Sequence, residues 1–287
     1  RDHPFVQWLD GRLTESRSYY SNLKMNGHAF DFDAAGQLQR SAIYGGTGFP
    51  QTANILAPRL EEMRDFAAQT RFLEFYQAHA ALYREQREYF ERDVDSQRML
   101  SWLSAQFPSA APYDHVKILF SPLVYGWQSM TRLEDGEFRE LQAHINFPYP
   151  DPSLDAFEPE SRALVRGNLL FTEMNHGFSD PTAEPLQERI AVALGDGAGW
   201  AAANSSASAY GSPQALFNEM MNWALVSLYY IDHAPAADLD ELIERLEREQ
   251  DAGRGFRRFA EFNRELIRVY RARGPTQTVE DLYPGMV

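Results

Sequence analysis

Glu173 and His176 are the residues whose types and spacing could carry a reaction. The chain has seven histidines and no cysteine, so a metal site would use histidine and carboxylate ligands only. No two histidines are four residues apart, so no helix presents two of them as a zinc-binding pair. An acid three residues before a histidine occurs once, at Glu173 before His176. That spacing puts both side chains on one face of a helix.

The residues before Glu173 are strongly apolar, so its carboxylate needs a partner if the helix is buried. Di-iron carboxylate bundles use Glu-x-x-His on two helices together with two further glutamates, and this sequence has the spacing once. A zincin helix carries His-Glu-x-x-His, in which the histidines bind zinc and the glutamate is the general base. The stretch here reads Thr172-Glu173-Met174-Asn175-His176, so a threonine stands at the first ligand position.

The segment from Phe171 to Pro181 resembles the active-site helix of gluzincin-type metallopeptidases. It is most similar to a bacterial family of domains of unknown function, number 4932. In that family a second helix carries an acidic third ligand, and the segment from Phe217 to Ala224 matches it with Glu219, 43 residues after His176. The resemblance extends over about residues 50–232, and its specific motifs are these two short segments.

The resemblance implies a role for each matching residue. Glu173 would be the general base that activates a zinc-bound water, and His176 and Glu219 would be zinc ligands. The strand around His144 and Asn146 would bind an extended peptide substrate by pairing with it.

Two tyrosines on the helix of Glu219 are further candidates. Tyr229 or Tyr230 could stabilise an oxyanion if either one reached the reacting carbonyl. The sequence itself does not place either hydroxyl there.

The departure at Thr172 limits what the resemblance implies. Catalytic zinc normally has three protein ligands and one open position, and a threonine hydroxyl is a poor zinc ligand. Asp180, four residues after His176, is a candidate substitute, but Pro181 follows it and favours a helix end with Asp180 as a cap. We therefore expect zinc to be weakly bound or absent, and a metallopeptidase-like protein that is impaired or inactive as a peptidase.

Other interpretations remain open. The chain could be a non-catalytic module that binds a peptide or protein on a zincin scaffold, or an active peptidase whose missing zinc ligand comes from elsewhere. Without the resemblance, Glu173 and His176 are a hydrogen-bonded pair inside a core helix. Glu219 lies two turns into its helix among apolar residues, so it requires a partner, either a metal or a histidine.

The composition narrows the classes of partner. The chain has 41 acidic and 27 basic residues and a net charge of −14, which argues against duplex nucleic acid and against an anionic membrane surface. No apolar stretch approaches the roughly 18–20 residues of a membrane span. A cysteine-free chain that begins at Arg1 suggests a periplasmic or secreted protein. The sequence does not specify the oligomeric state.

The order of sequence patterns predicts an α+β fold, mostly helical and zincin-like, with a small antiparallel sheet. We expect one domain over residues 1–287, with an irregular segment at 1–50, a core with the motif helices at 50–232 and C-terminal helices at 233–287.

Local signals predict the elements in more detail. Residues 53–107 should be helical, with aromatic side chains at helical spacing in the core. Strands should lie within 108–150, with a hairpin at Asp135-Gly136. The Gly45–Gly48 cluster lacks the Lys-Ser/Thr of a phosphate loop and predicts an ordinary loop. Later helices are expected at about 159–178, 182–194, 213–232, 238–250 and 253–273.

Overall fold

A computed structural model describes most of the chain. The described residues are 2–16, 18–41, 54–110, 112–121, 128–135, 137–147 and 151–287. The loop predicted at Gly45–Gly48 lies outside them. The protein is mostly helical with small sheets, as the predicted α+β class requires, whereas its zincin-likeness stays a prediction.

The chain divides into two compact units. The first comprises Arg1–Tyr89, Tyr113–Leu119 and Val124–His144, and the second comprises Phe90–Pro112, Phe120–Leu123 and Ile145–Val287. The single domain expected over residues 1–287 stays a prediction.

The first unit contains helices and both sheets. Its helices are α1 (Pro4–Glu15), α2 (Ser18–Gly27), α3 (Leu60–Gln69), α4 (Phe72–Ala78) and most of α5 (Ala80–Asp93). Its strands are β1 (Phe30–Phe32), β2 (Leu38–Arg40), β3 (His115–Phe120), β4 (Ser129–Asp135) and β5 (Phe138–Ile145).

The prediction of an irregular segment at 1–50 is wrong, because α1, α2, β1 and β2 lie within it. Helix α1 begins with a recognisable cap: Pro4 occupies the first turn and the His3 side chain accepts a hydrogen bond from the Phe5 amide. Among the aromatic residues of this segment, Phe5 lies in α1, and Phe30 and Phe32 lie in β1.

The three-stranded sheet has the order β3-β5-β4. β4 and β5 form the predicted antiparallel hairpin, closing at the pair Asp135 and Phe138. β3 runs parallel to β5, since the Asp114 amide donates to the Arg139 carbonyl at one end and the Ser121 amide donates to the Ile145 carbonyl at the other. The predicted antiparallel sheet is therefore mixed on this side, and β1 with β2 forms a separate antiparallel pair.

The helical region from α3 to α6 (Ser96–Gln106) agrees with the prediction for 53–107, but the assignment of its aromatic residues to the core is only partly correct. Phe90 is buried, whereas several predicted core side chains are 40% exposed or more. Helical spacing defines a stripe without stating which way the stripe faces. The exposed members are Phe72, Phe75, Tyr76 and Leu82.

The second unit is built around two long helices, α7 (Pro159–Ala183) and α9 (Pro213–His233). Their apolar faces are joined by Phe171 and Tyr229, whose stacked rings lie 4.7 Å apart between centroids. This unit also contains the end of α5, α6, α8 (Gln187–Leu194), α10 (Leu239–Arg248), α11 (Phe259–Ala272) and α12 (Val279–Leu282).

One predicted helix end is wrong. α7 continues through Asp180 and Pro181 to Ala183, so Asp180 is inside the helix rather than in a cap before the next one. Pro181 removes one backbone donor from the last turn of α7, and the helix nevertheless continues to Ala183. The cap predicted at Ser212 is present, since its side chain accepts a hydrogen bond from the Ala215 amide.

Candidate functional site

His176 on α7 and Glu219 on α9 lie side by side, as expected from the resemblance that assigned both to one site. His176 Nε2 is 3.5 Å from Glu219 Oε2. The other ring nitrogen, Nδ1, is 3.2 Å from Asp180 Oδ1 on the same helix. Because α7 continues past Pro181, Asp180 shares the face of His176 at a spacing of four residues.

The second oxygen of Glu219 binds two donors that the sequence did not predict as site residues. Arg254 Nη2 donates to Glu219 Oε1 over 2.7 Å, and Trp223 Nε1 donates to the same oxygen over 2.9 Å. Arg254 also donates to the Tyr210 hydroxyl oxygen over 2.8 Å.

Arg254 is held in place by aromatic rings and by the backbone that carries it. Its guanidinium carbon lies 5.2 Å from the centroid of the Trp223 ring and 4.9 Å from that of Phe256. It ends a π-helical turn, Glu249–Arg254, and the next residue, Gly255, has φ of 81°. A left-handed residue directly after Arg254 turns the chain away and leaves the guanidinium against Glu219.

The four charged residues form a row of alternating sign, Asp180, His176, Glu219 and Arg254, which we name the charge chain. Burial by itself lowers the pKa of His176, but the hydrogen bonds and charges of Asp180 and Glu219 outweigh it and raise that pKa to about 10. Burial raises the pKa of Glu219, but His176 and Arg254 outweigh it and lower that pKa to about 2. At neutral pH His176, Glu219 and Arg254 are therefore placed to carry charge.

A protonated His176 constrains Asn222, whose amide lies against the imidazole. The Asn222 amide nitrogen is placed 2.9 Å from His176 Nε2, and its oxygen then has no partner. Amide oxygen and nitrogen are assigned from the hydrogen-bond network. Since both nitrogens of an imidazolium donate, the amide oxygen must face Nε2, and this orientation also gives that oxygen its partner.

Thr172 and Glu173 lie one turn before His176 on α7. Thr172 is buried, and its hydroxyl donates to the Leu169 carbonyl over 3.1 Å within the same helix. Glu173 is half-buried. The position at which a zincin would carry its first ligand is thus occupied by a side chain bonded to its own helix.

The donor set does not fit the zinc ion that the resemblance implies. Zinc requires ligand atoms with free lone pairs, usually three from the protein. In the charge chain His176 Nδ1 is engaged with Asp180 Oδ1 at 3.2 Å, and Glu219 Oε1 is shared by Arg254 and Trp223. Among the described residues, no group of three or more histidines and acids is arranged to hold a metal ion.

Tyr229 and Tyr230 are not placed to stabilise an oxyanion. Both are almost completely buried in the second unit. The Tyr230 hydroxyl exchanges hydrogen bonds with Asn168, at 2.6 and 2.9 Å. That hydroxyl therefore serves the contact between α7 and α9.

His144 belongs to a different cluster, in the first unit. Its Nδ1 lies 3.1 Å from Nε2 of His28, so one proton is shared between the two rings. Burial, with the charges of Lys117 and Lys24, lowers the pKa of His28 to about 4. Burial, with the charges of His28 and Lys24, lowers that of His144 to about 3.

The strand that was expected to pair with a peptide substrate, β5, has no free edge. β5 lies between β3 and β4, so its backbone already pairs on both sides, and the expected strand pairing at His144 is wrong. Asn146 follows β5, and its side-chain oxygen accepts from the Phe147 amide over 2.9 Å. Substrate binding through the side chains of His144 and Asn146 stays a prediction.

We expect the His28–His144 pair to make the protein sensitive to acid. Both folded pKa values lie below the ordinary value of 6.5, so the neutral pair stabilises the fold fully above pH 6.5 and loses that contribution as the pH falls towards about 4. Unfolding by urea at pH 7, 6 and 5 should show a falling midpoint. The double variant His28→Gln with His144→Gln should flatten that dependence, whereas His79→Gln, at a half-buried histidine outside this pair, should not. An unchanged slope in the double variant would contradict this origin.

The comparisons with known proteins give no relatives: no family model, no curated protein and no solved structure matches this chain. Among the described residues, no helix is both long enough and apolar enough to cross a membrane.

Proposed function

We propose that this chain is a metallopeptidase-like protein that does not hydrolyse peptides and instead acts as a peptide- or protein-binding module. The observation that carries the proposal is the Arg254 guanidinium bonded to Glu219, 2.7 Å from the carboxylate oxygen. An organic cation thus lies at the residue that would otherwise be the third zinc ligand.

The guanidinium supplies charge without supplying catalysis. A zinc ion neutralises its ligands and also lowers the pKa of a bound water to about 7, which creates the nucleophile. A guanidinium stays protonated and coordinates no water, so it performs the first task alone. Glu173 would then have no acidified water from which to take a proton.

The orientation of His176 supports the metallopeptidase-like ancestry. A zinc-binding histidine usually gives its second ring nitrogen to a carboxylate, which fixes the ring. Asp180 occupies that place at Nδ1 and leaves Nε2 directed at Glu219. In this proposal the arrangement of Asp180, His176 and Glu219 was retained after the metal was lost.

The proposed partner is a peptide or protein with basic segments. The net charge of −14 attracts positive partners and repels nucleic acid. A periplasmic or secreted location is part of the same proposal, and the absence of cysteine is compatible with it.

Peptide cleavage tests the proposal directly. Wild-type protein and Glu173→Gln are incubated with a mixed library of quenched peptides and one equivalent of zinc. We expect no hydrolysis above buffer in either, and equal retention of basic peptides on the two immobilised proteins. Glu188→Gln on α8 is the matched control. Chelator-sensitive cleavage by the wild type that is lost in Glu173→Gln would overturn the proposal.

A further inference from the structure

α10 and α11 of the second unit border a surface groove with walls of opposite charge. The groove has a volume of about 780 Å³. The wall from α10 is acidic and the wall from α11 is basic. The acidic side chains are Asp240, Glu244 and Glu247, and the basic ones are Arg264, Arg268 and Arg271.

The floor of the groove is apolar. Ile243 comes from α10, and Ile267 comes from α11. An apolar strip between charged rims is the arrangement found in protein interfaces, where the centre loses water and the rim sets the register. A single small anion or cation would use one wall and leave the other unpaired.

The charged walls are largely available to a partner. Arg268 is 67% exposed, and its bond is to Glu265 one turn before it on the same helix. Glu244 lies 3.6 Å from Arg248, again within one helix. Such exposed pairs are worth little and can exchange for contacts across an interface. Glu247 differs, because it is buried and bonded to Arg264, and this pair fixes the two helices to each other.

We propose that this groove is a contact between two copies of the chain. A second copy rotated by half a turn about the long axis of the groove places its acidic wall over the basic wall of the first copy, and its basic wall over the acidic one. The charge pattern is thus complementary to itself, as a two-fold interface requires. This inference is independent of the proposed function.

Charge reversal with recombination tests the proposal. Arg268→Glu with Arg271→Glu makes both walls acidic, and Asp240→Arg with Glu244→Arg makes both basic. In sedimentation experiments at concentrations on the order of 100 µM, we expect the wild type to dimerise and each variant alone to associate at least about tenfold more weakly. A 1:1 mixture of the two variants should form a heterodimer of wild-type affinity.

A matched control changes the same charge elsewhere. Arg12→Glu with Arg92→Glu alters exposed arginines outside the groove, and its dimerisation should equal that of the wild type. Circular dichroism confirms that each variant is folded. A monomeric wild type, or variants whose mixture does not recover association, would overturn the proposal.

Discussion

Replacing Arg254 by Met is expected to lower the free energy of unfolding by about 3–5 kcal/mol, because it removes one of the two cationic partners of the buried Glu219 carboxylate and leaves His176 as the other. The Glu219 side chain is 9% exposed and the Arg254 side chain 22%. Methionine retains the packing against Trp223 while removing the charge and three hydrogen bonds, to Glu219, Tyr210 and Gln250. Urea denaturation at pH 7 measures the loss.

Two comparisons separate this effect from a general loss of an arginine. Arg12→Met removes an exposed ion pair with Glu15 and should cost less than about 1 kcal/mol. Adding Glu219→Gln to Arg254→Met removes the carboxylate charge that has lost its arginine. The double variant should therefore lose less free energy of unfolding than the sum of the losses in the two single variants. Additive effects would mean that Arg254 and Glu219 do not stabilise each other.

Gly255→Ala is expected to destabilise the protein by about 2–5 kcal/mol, since two costs add at this position. A positive φ costs a residue with a Cβ about 1–2 kcal/mol, and forced overpacking costs about 1–3 kcal/mol. The φ of Gly255 is 81°, and a Cβ there would lie 2.5 Å from the Ser205 Cβ. Because the Ala202 amide also donates to the Gly255 carbonyl, a shift of this backbone moves Arg254 with it.

Gly253→Ala is the matched control, two residues earlier on the same turn. A Cβ there meets only the Glu249 side chain, at an ordinary 3.9 Å. Alanine is also the better helix former, so stability should stay within about 1 kcal/mol of wild type or rise. Thermal melts of both variants provide the test, and equal melting temperatures would contradict the role of Gly255.

The sequence was informative wherever one local signal determines one local structure. Ser212 before Pro213 predicted the start of α9, and Asp135-Gly136 predicted the hairpin. The apolar surroundings of Glu219 indicated that its carboxylate needs a partner, and His176 is one of its partners in the structure. Each of these depends on residues within one or two turns of each other.

The parts that the sequence did not reveal depend on contacts distant along the chain. Arg254 lies 35 residues after Glu219, at the end of a π-helical turn, and nothing near it marks it as a site residue. Whether the helical stripe that contains Phe75 is buried or exposed depends on what packs against it, and periodicity does not give this information. Pro181 shows the converse, because a signal that usually ends a helix was overridden near the end of α7.

Zinc content tests the central claim, that the charge chain occupies the place of a metal site. Wild-type protein is equilibrated with one equivalent of zinc, passed through a desalting column and measured by elemental mass spectrometry. It should retain less than about a tenth of an equivalent, whereas Thr172→His with Arg254→Met, which restores a third ligand and frees Glu219, should retain clearly more. One tightly held zinc ion per wild-type chain would contradict the account.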